Sequence, residues 1–164
     1  MSVRYLEWLY HQPWAAALRE SDDAYPLIET VHVLSIAVIA GTVVAMDLRL
    51  LGLILKQEPV TRVGRALLPA AWYGFAIMLV TGIPLFAAQA VQLYSNPAFR
   101  LKILLLVLAG LNAGLFHATT YRGVHAWDDS AIIPVPARVF AITSIALWSA
   151  IIVSGRLIAV FHAR

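Results

Sequence analysis

What most constrains this chain is the spacing of its apolar residues, which fall into four blocks at about 26–55, 66–94, 99–121 and 137–161, with short polar connections between them. A hydrocarbon core about 30 Å thick is crossed by roughly 20 apolar residues in a helix, and each block is long enough. Lipid offers the backbone no hydrogen bonds, so blocks of this kind must satisfy their own as helices. Hydrophobic residues make up 61% of the 164 and charged residues 13%, whereas a soluble domain carries about 25% charged. The composition therefore excludes an ordinary soluble enzyme. The expected fold is all-α, an integral membrane four-helix bundle with up-down-up-down connections, forming a single transmembrane domain over residues 1–164 in contact with the lipid bilayer.

Ahead of the first block, residues 2–20 set Tyr5, Leu6, Trp8, Leu9, Trp14 and Leu18 beside Arg4, Glu7, His11 and Arg19. Bulky interface-seeking side chains mixed with charges predict an amphipathic segment lying in the headgroup region. Pro13 should kink or divide it. The start lacks the basic region and small-residue cleavage site of a secretory signal, so this segment is expected to stay on the mature protein. Ser21-Asp22-Asp23 then offers N-cap chemistry, and Pro26 suits a first helical turn.

Four crossings place both termini on one face, here side A, and the loops after the first and third spans on side B. Outside the helices side B carries Lys56, Arg62, Arg65, Arg122 and Arg138, and side A carries Arg4, Arg19, Arg100 and Arg164. Five against four places side B in the cytoplasm and both termini in the periplasm. The net charge of +3 comes from basic residues scattered between apolar blocks, which is the pattern of membrane-flanking charges and not of a nucleic-acid stripe. There is no cysteine, so thiolate nucleophiles, Cys-ligated zinc, iron–sulfur clusters and covalently attached haem are all excluded. Any metal or haem must be held by histidine.

Ionisable groups at bilayer depth are costly and mark function by default. A rise of about 1.5 Å per residue sorts them into two layers: Glu29, His32, Lys102 and Arg156 towards side A, and Asp47, Arg49, Asn112 and His117 towards side B. Pairing of Glu29 with Lys102 or Arg156 is expected to offset part of the desolvation cost. Asp47 and Arg49 point about 200° apart on a helix and cannot serve one pocket. His32 and His117 are the candidate cofactor and metal ligands. Their depths differ by roughly 20 Å, so they cannot clamp one haem together. His125 and His162 are peripheral partners in the two layers. Gly110-Leu111-Asn112-Ala113-Gly114 is a G-x-x-x-G that permits close approach of a helix, within the bundle or across a homo-oligomer.

The order Ile28-Glu29-Thr30-Val31-His32, Asp47-Leu48-Arg49-Leu50-Leu51-Gly52, Thr81-Gly82, Asn96-Pro97-Ala98-Phe99, Lys102, Asn112, Phe116-His117 and Gly155-Arg156 resembles a family of small uncharacterised bacterial inner-membrane proteins over nearly the whole chain. That resemblance implies a four-helix fold in a bacterial inner membrane. A looser likeness runs to the copper-resistance D proteins and to cytochromes of the b561 class, but the chain has only Met1, Met46 and Met78 for copper and lacks matched histidine pairs.

Three functions are compatible with these residues. The first is electron transfer through b-type haem or a quinone, with Trp72, Tyr73, Phe75, Phe116 and Trp148 lining a flat cofactor site and a redox partner in the membrane or periplasm. The second is a proton or metal-ion conduit, with the two polar layers as half-paths across a dry middle. The third is a non-catalytic subunit or assembly partner, in which the same groups fix helix register. Electron transfer is the leading expectation, since histidine is costly to keep in lipid without a partner.

Overall fold

Four helices are long and apolar enough to cross a membrane in the computed structural model, which describes residues 3–128, 130 and 132–162 and only the backbone of Val3, Phe161 and His162. Met1, Arg164 and the side chain of His162, considered above, lie outside the described residues. The order is α1 (Val3–Tyr10), α2 (Pro13–Arg19), α3 (Ala24–Leu50), α4 (Val60–Ala88), α5 (Ala90–Ser95), α6 (Pro97–Ala118), a 3₁₀ turn at Thr120–Ala126 and α7 (Val135–His162). The described residues contain no strand. The fold is the expected all-α membrane bundle, and the protein is a multi-pass membrane protein.

The four long helices form two hairpins. α3 packs along α4 and α6 along α7, and the hairpins join where α3 meets α7, leaving α4 and α6 as the outer pair. A glycine sets the first contact: a Cβ at Gly74 would stand 2.9 Å from Ile39 Cγ1 and 3.2 Å from the Ser35 carbonyl, so only a bare Cα lets α4 approach α3 this closely. Ile39, Ala40, Met78, Trp148 and Ile151 form a buried apolar layer at mid-depth. A second cluster, around Leu50, Phe116, Val124 and Ala137, closes side B.

Polar chemistry finishes the helix ends. Gly52 adopts a left-handed φ of 70°, and the amides of Gly52 and Leu53 donate back to the carbonyls of Arg49 and Leu48. This is a Schellman ending, and it stops α3 at Leu50, short of the expected residue 55. α4 begins at Val60 instead of 66, because Pro59 precedes it and the Asp128 carboxylate accepts from the Thr61 amide at 2.8 Å and the Thr61 hydroxyl at 2.5 Å. A distant loop residue thus does the work of an N-cap. α4 also breaks at Gln89, where the backbone leaves helical geometry, so the expected span 66–94 is α4 followed by the short α5. The Asn96 side chain accepts from the amides of Ala98 and Phe99 and donates to the Ile158 carbonyl, tying the start of α6 to α7.

Pro13 divides the N-terminal segment into α1 and α2, as its sequence suggests. Leu6 and Ala15 are buried where the two short helices meet the side-A ends of α4 and α5. Arg19 reaches the Ala88 carbonyl at 3.1 Å, a cation at the negative end of α4. It also stacks over the Tyr10 ring, 4.0 Å from its centroid.

Asp128 gives a test of this architecture. Burial alone would raise its pKa, but the hydroxyl and amide of Thr61, the Val60 amide and nearby His125 outweigh it and hold the carboxyl below its ordinary value. A carboxylate depressed in the folded state stabilises above the unfolded pKa and ceases to as pH falls through the folded one. Asp128→Ala should therefore cost about 1 kcal/mol at neutral pH, and the difference from the parent should shrink as pH falls through the depressed pKa of the carboxyl, as measured by unfolding in detergent micelles.

Candidate functional site

The long helices enclose two cavities, one in each half of the bilayer. The side-A cavity, of about 600 Å³, lies among α3, α4, α6 and α7 and is lined by Glu29, His32, Lys102 and Arg156. The quartet grouped by depth in the sequence thus shares one chamber. The side-B cavity, of about 280 Å³, takes Asp47, Asn112 and His117 and leaves Arg49 out. Arg49 turns away, as the 200° separation requires, and is buried with its Nε donating to the Glu58 carbonyl at 2.8 Å. His32 and His117 line different cavities.

His32 is held with chemical specificity. Its Nδ1 lies 3.0 Å from Thr81 Oγ1, and that hydroxyl donates its own proton to the Ile77 carbonyl at 2.7 Å. With that proton engaged, Nδ1 faces Thr81 as a donor, and the Met78 carbonyl also accepts from the ring, so α4 grips the imidazole at two positions. Gly82 makes the seat: a Cβ there would stand 2.9 Å from His32 Cε1. Thr81-Gly82 is thus the cradle of the imidazole. On the opposite wall Lys102 Nζ lies over α7 at Gly155, 3.9 Å from where a Cβ would be, an ordinary contact distance. At the mouth, Gln89 Nε2 donates to the Tyr25 hydroxyl at 2.6 Å, and the rings of Phe86 and Phe99 stack 5.5 Å apart between α4 and α6.

Two expectations are corrected. Glu29 forms no ion pair with Lys102 or Arg156; the ion pair among the described residues is Arg62 with Glu58, at 2.9 Å. Glu29 and Arg156 are both exposed towards the open side-A end, where charges gain more from solvation than from pairing. Trp72, Tyr73 and Phe75 do not line a cofactor site. They are exposed on the outer face of α4, as aromatic side chains that meet lipid or its interface are. Trp148 belongs to the apolar layer and Phe116 to the side-B cavity.

On side B, Asp47 is only 6% exposed. Ser144 supplies its one hydrogen bond, and Oδ2 has no partner among the described residues. Asn112 donates to the Phe140 carbonyl at 3.2 Å, and His117 Nδ1 bonds the Ala113 carbonyl at 2.9 Å. Gly110 and Gly114 have nothing within 4 Å of where a Cβ would stand, so the G-x-x-x-G makes no close helix contact within the described bundle. Among the described residues no three His, Asp or Glu side chains converge to hold a metal ion.

Residues 24–161 match the sequence pattern of a family of unknown function, DUF6644. The chain belongs to this family. The match takes in all four long helices and every residue of both cavities named here, and leaves out α1 and α2. No curated protein and no solved structure matches the chain. Within a DUF6644 chain, the residues that reading the sequence missed are Tyr25, Gln89 and Ser144. Thr81 and Gly82 were visible as a Thr-Gly pair inside a span, and a glycine that lets another helix approach was the signal for a seated side chain.

Replacing Gly82 with Ala should push the His32 ring off α4. The expected cost is about 1–3 kcal/mol, with displaced His32 ring signals in ¹⁵N-histidine NMR. Gly41→Ala, where nothing lies within 4 Å, should leave both the unfolding transition and those signals in place.

Proposed function

We propose that the protein carries b-type haem in the side-A cavity, where His32 would hold it, and passes electrons within the membrane to or from a quinone or a periplasmic redox protein. The observation that carries this reading is the imidazole seated by Thr81, Gly82 and the Met78 carbonyl on the wall of a chamber of about 600 Å³. Histidine ligands hold metals in this way, with the second nitrogen donating to a fixed acceptor. The volume falls within the range of cofactor pockets, roughly 300–1,000 Å³. A bare metal ion would want several protein ligands, whereas haem iron brings four nitrogens of its own and needs one imidazole. Lys102 and Arg156 line the same chamber and suit two propionates. When bound, the haem supplies a reversible one-electron change at its iron. His32 would hold it, Thr81 would set the basicity of that ligand, and Phe86 and Phe99 close the chamber between α4 and α6.

A second reading is favoured by the stacking of the two cavities on either side of the Ile39, Met78 and Trp148 layer. Polar chambers separated by a dry layer are the parts of a proton or ion conduit.

Absorption spectra separate the two. Protein purified from haem-supplied cells should show a Soret band, His32→Gln should lose at least nine-tenths of it while staying folded, and Thr81→Val should weaken haem affinity about 10–100-fold. His117→Gln should leave the band unchanged. A folded, haem-free protein under these conditions rejects the haem reading, and pH-dye flux in proteoliposomes then tests the conduit.

The termini follow from the same reading, with side A facing the periplasm of a bacterial inner membrane. Cysteines introduced near residues 60 and 130 should both be labelled from the cytoplasmic side, and labelling only from outside would reverse the orientation.

A further inference from the structure

We propose that the side-B cavity is a binding site for a small organic ammonium ion, with Asp47 as its anionic partner. This inference does not rest on the haem reading. Asp47 is 6% exposed at bilayer depth and its Oδ2 has no hydrogen-bond partner among the described residues. An unsatisfied buried carboxylate oxygen is costly, and a carboxylate tolerates burial when a cation meets it.

The other groups around the cavity are already committed. Thr42 donates to carbonyls of its own helix, Asn112 to the Phe140 carbonyl and His117 to the Ala113 carbonyl. Arg65 also lines the chamber, yet it is exposed, points its Nε at the Thr61 carbonyl at 3.4 Å and makes no ion pair with Asp47. Among the described residues no cation of the chain meets Asp47, and the group from outside that would complete it best brings N–H donors and positive charge.

Size and lining define the remainder of that ligand. The cavity, about 280 Å³, is far larger than a bare ion and its walls are mostly aliphatic and aromatic. Phe116 meets Tyr121 and Phe140 with ring centroids 5.7 and 5.8 Å apart, so one wall is a cluster of aromatic rings. A buried carboxylate joined to aromatic rings is the chemistry that recognises an ammonium carrying an apolar body. A metal ion would find no group of three His, Asp or Glu side chains to hold it among the described residues.

The test uses the full-length protein in nanodiscs, with 2-phenylethylammonium as probe and 2-phenylethanol as its uncharged counterpart, titrated by calorimetry at pH 7. The ammonium should bind at least tenfold more tightly than the alcohol. Asp47→Asn, which keeps the shape and removes the charge, should reduce ammonium affinity at least tenfold and leave the alcohol unchanged. Ala113→Phe, which fills the cavity from α6, should abolish binding of both. Equal affinity of ammonium and alcohol for the parent overturns the proposal without recourse to any variant. So does undiminished ammonium binding by Asp47→Asn, or an Asp47-dependent response to sodium ion with none to the ammonium.

Discussion

Lipid supplies no hydrogen bonds, and this constraint decides where every polar atom in the long helices goes. Most hydroxyls return to their own helix: Thr30, Thr42, Ser35 and Ser154 each donate to a carbonyl three or four residues back. These residues are silent, since their polarity is consumed within a turn. Against that background two groups stand out: the His32 ring, which crosses from α3 to be seated on α4 by Thr81 and the Met78 carbonyl, and the Oδ2 of Asp47, which has no partner among the described residues. They sit in different chambers, and each is the group of its chamber whose chemistry is not consumed within its own helix.

The same constraint explains how the ends of the bundle are built. Helix termini carry unsatisfied amides and carbonyls, and here they are met by residues far away in the chain. Arg19 serves the end of α4, Asp128 its beginning, and Asn96 joins α6 to α7. The bonds from Arg19 and Asp128 span 69 and 67 residues, so they lock the connections to the helices they flank. Rigid ends keep the chambers open between helices that otherwise have every reason to collapse on one another.

The number and position of the spans were legible because each apolar block is long and bounded by polar turns, and the depth of each ionisable group followed from helical rise alone. Rotation about the helix axis was not. In water an apolar stripe marks the inward face, but in lipid the outward face is equally apolar, so Trp72, Tyr73 and Phe75 gave no sign that they point away from the bundle. Glu29 misled for a related reason: its depth matched that of Lys102 and Arg156, while its direction left it unpaired. The end of α3 was hidden differently. Gly52 is a stop signal, but Leu53, Ile54 and Leu55 continue the apolar run beyond it, and hydropathy spoke for continuation where backbone geometry decided against it.

The apolar layer around Trp148 also has an electrical meaning. On α3 the side-A chamber ends at Ile36 and the side-B chamber begins at Thr42, a separation of about 9 Å along the helix. Where both chambers admit water, the membrane voltage falls across this thin layer in place of the full hydrocarbon thickness of about 30 Å. The local field there is about threefold stronger than in the surrounding bilayer, and any charge crossing that layer gains nearly all of the roughly 2.3 kcal/mol per 100 mV that the membrane potential offers.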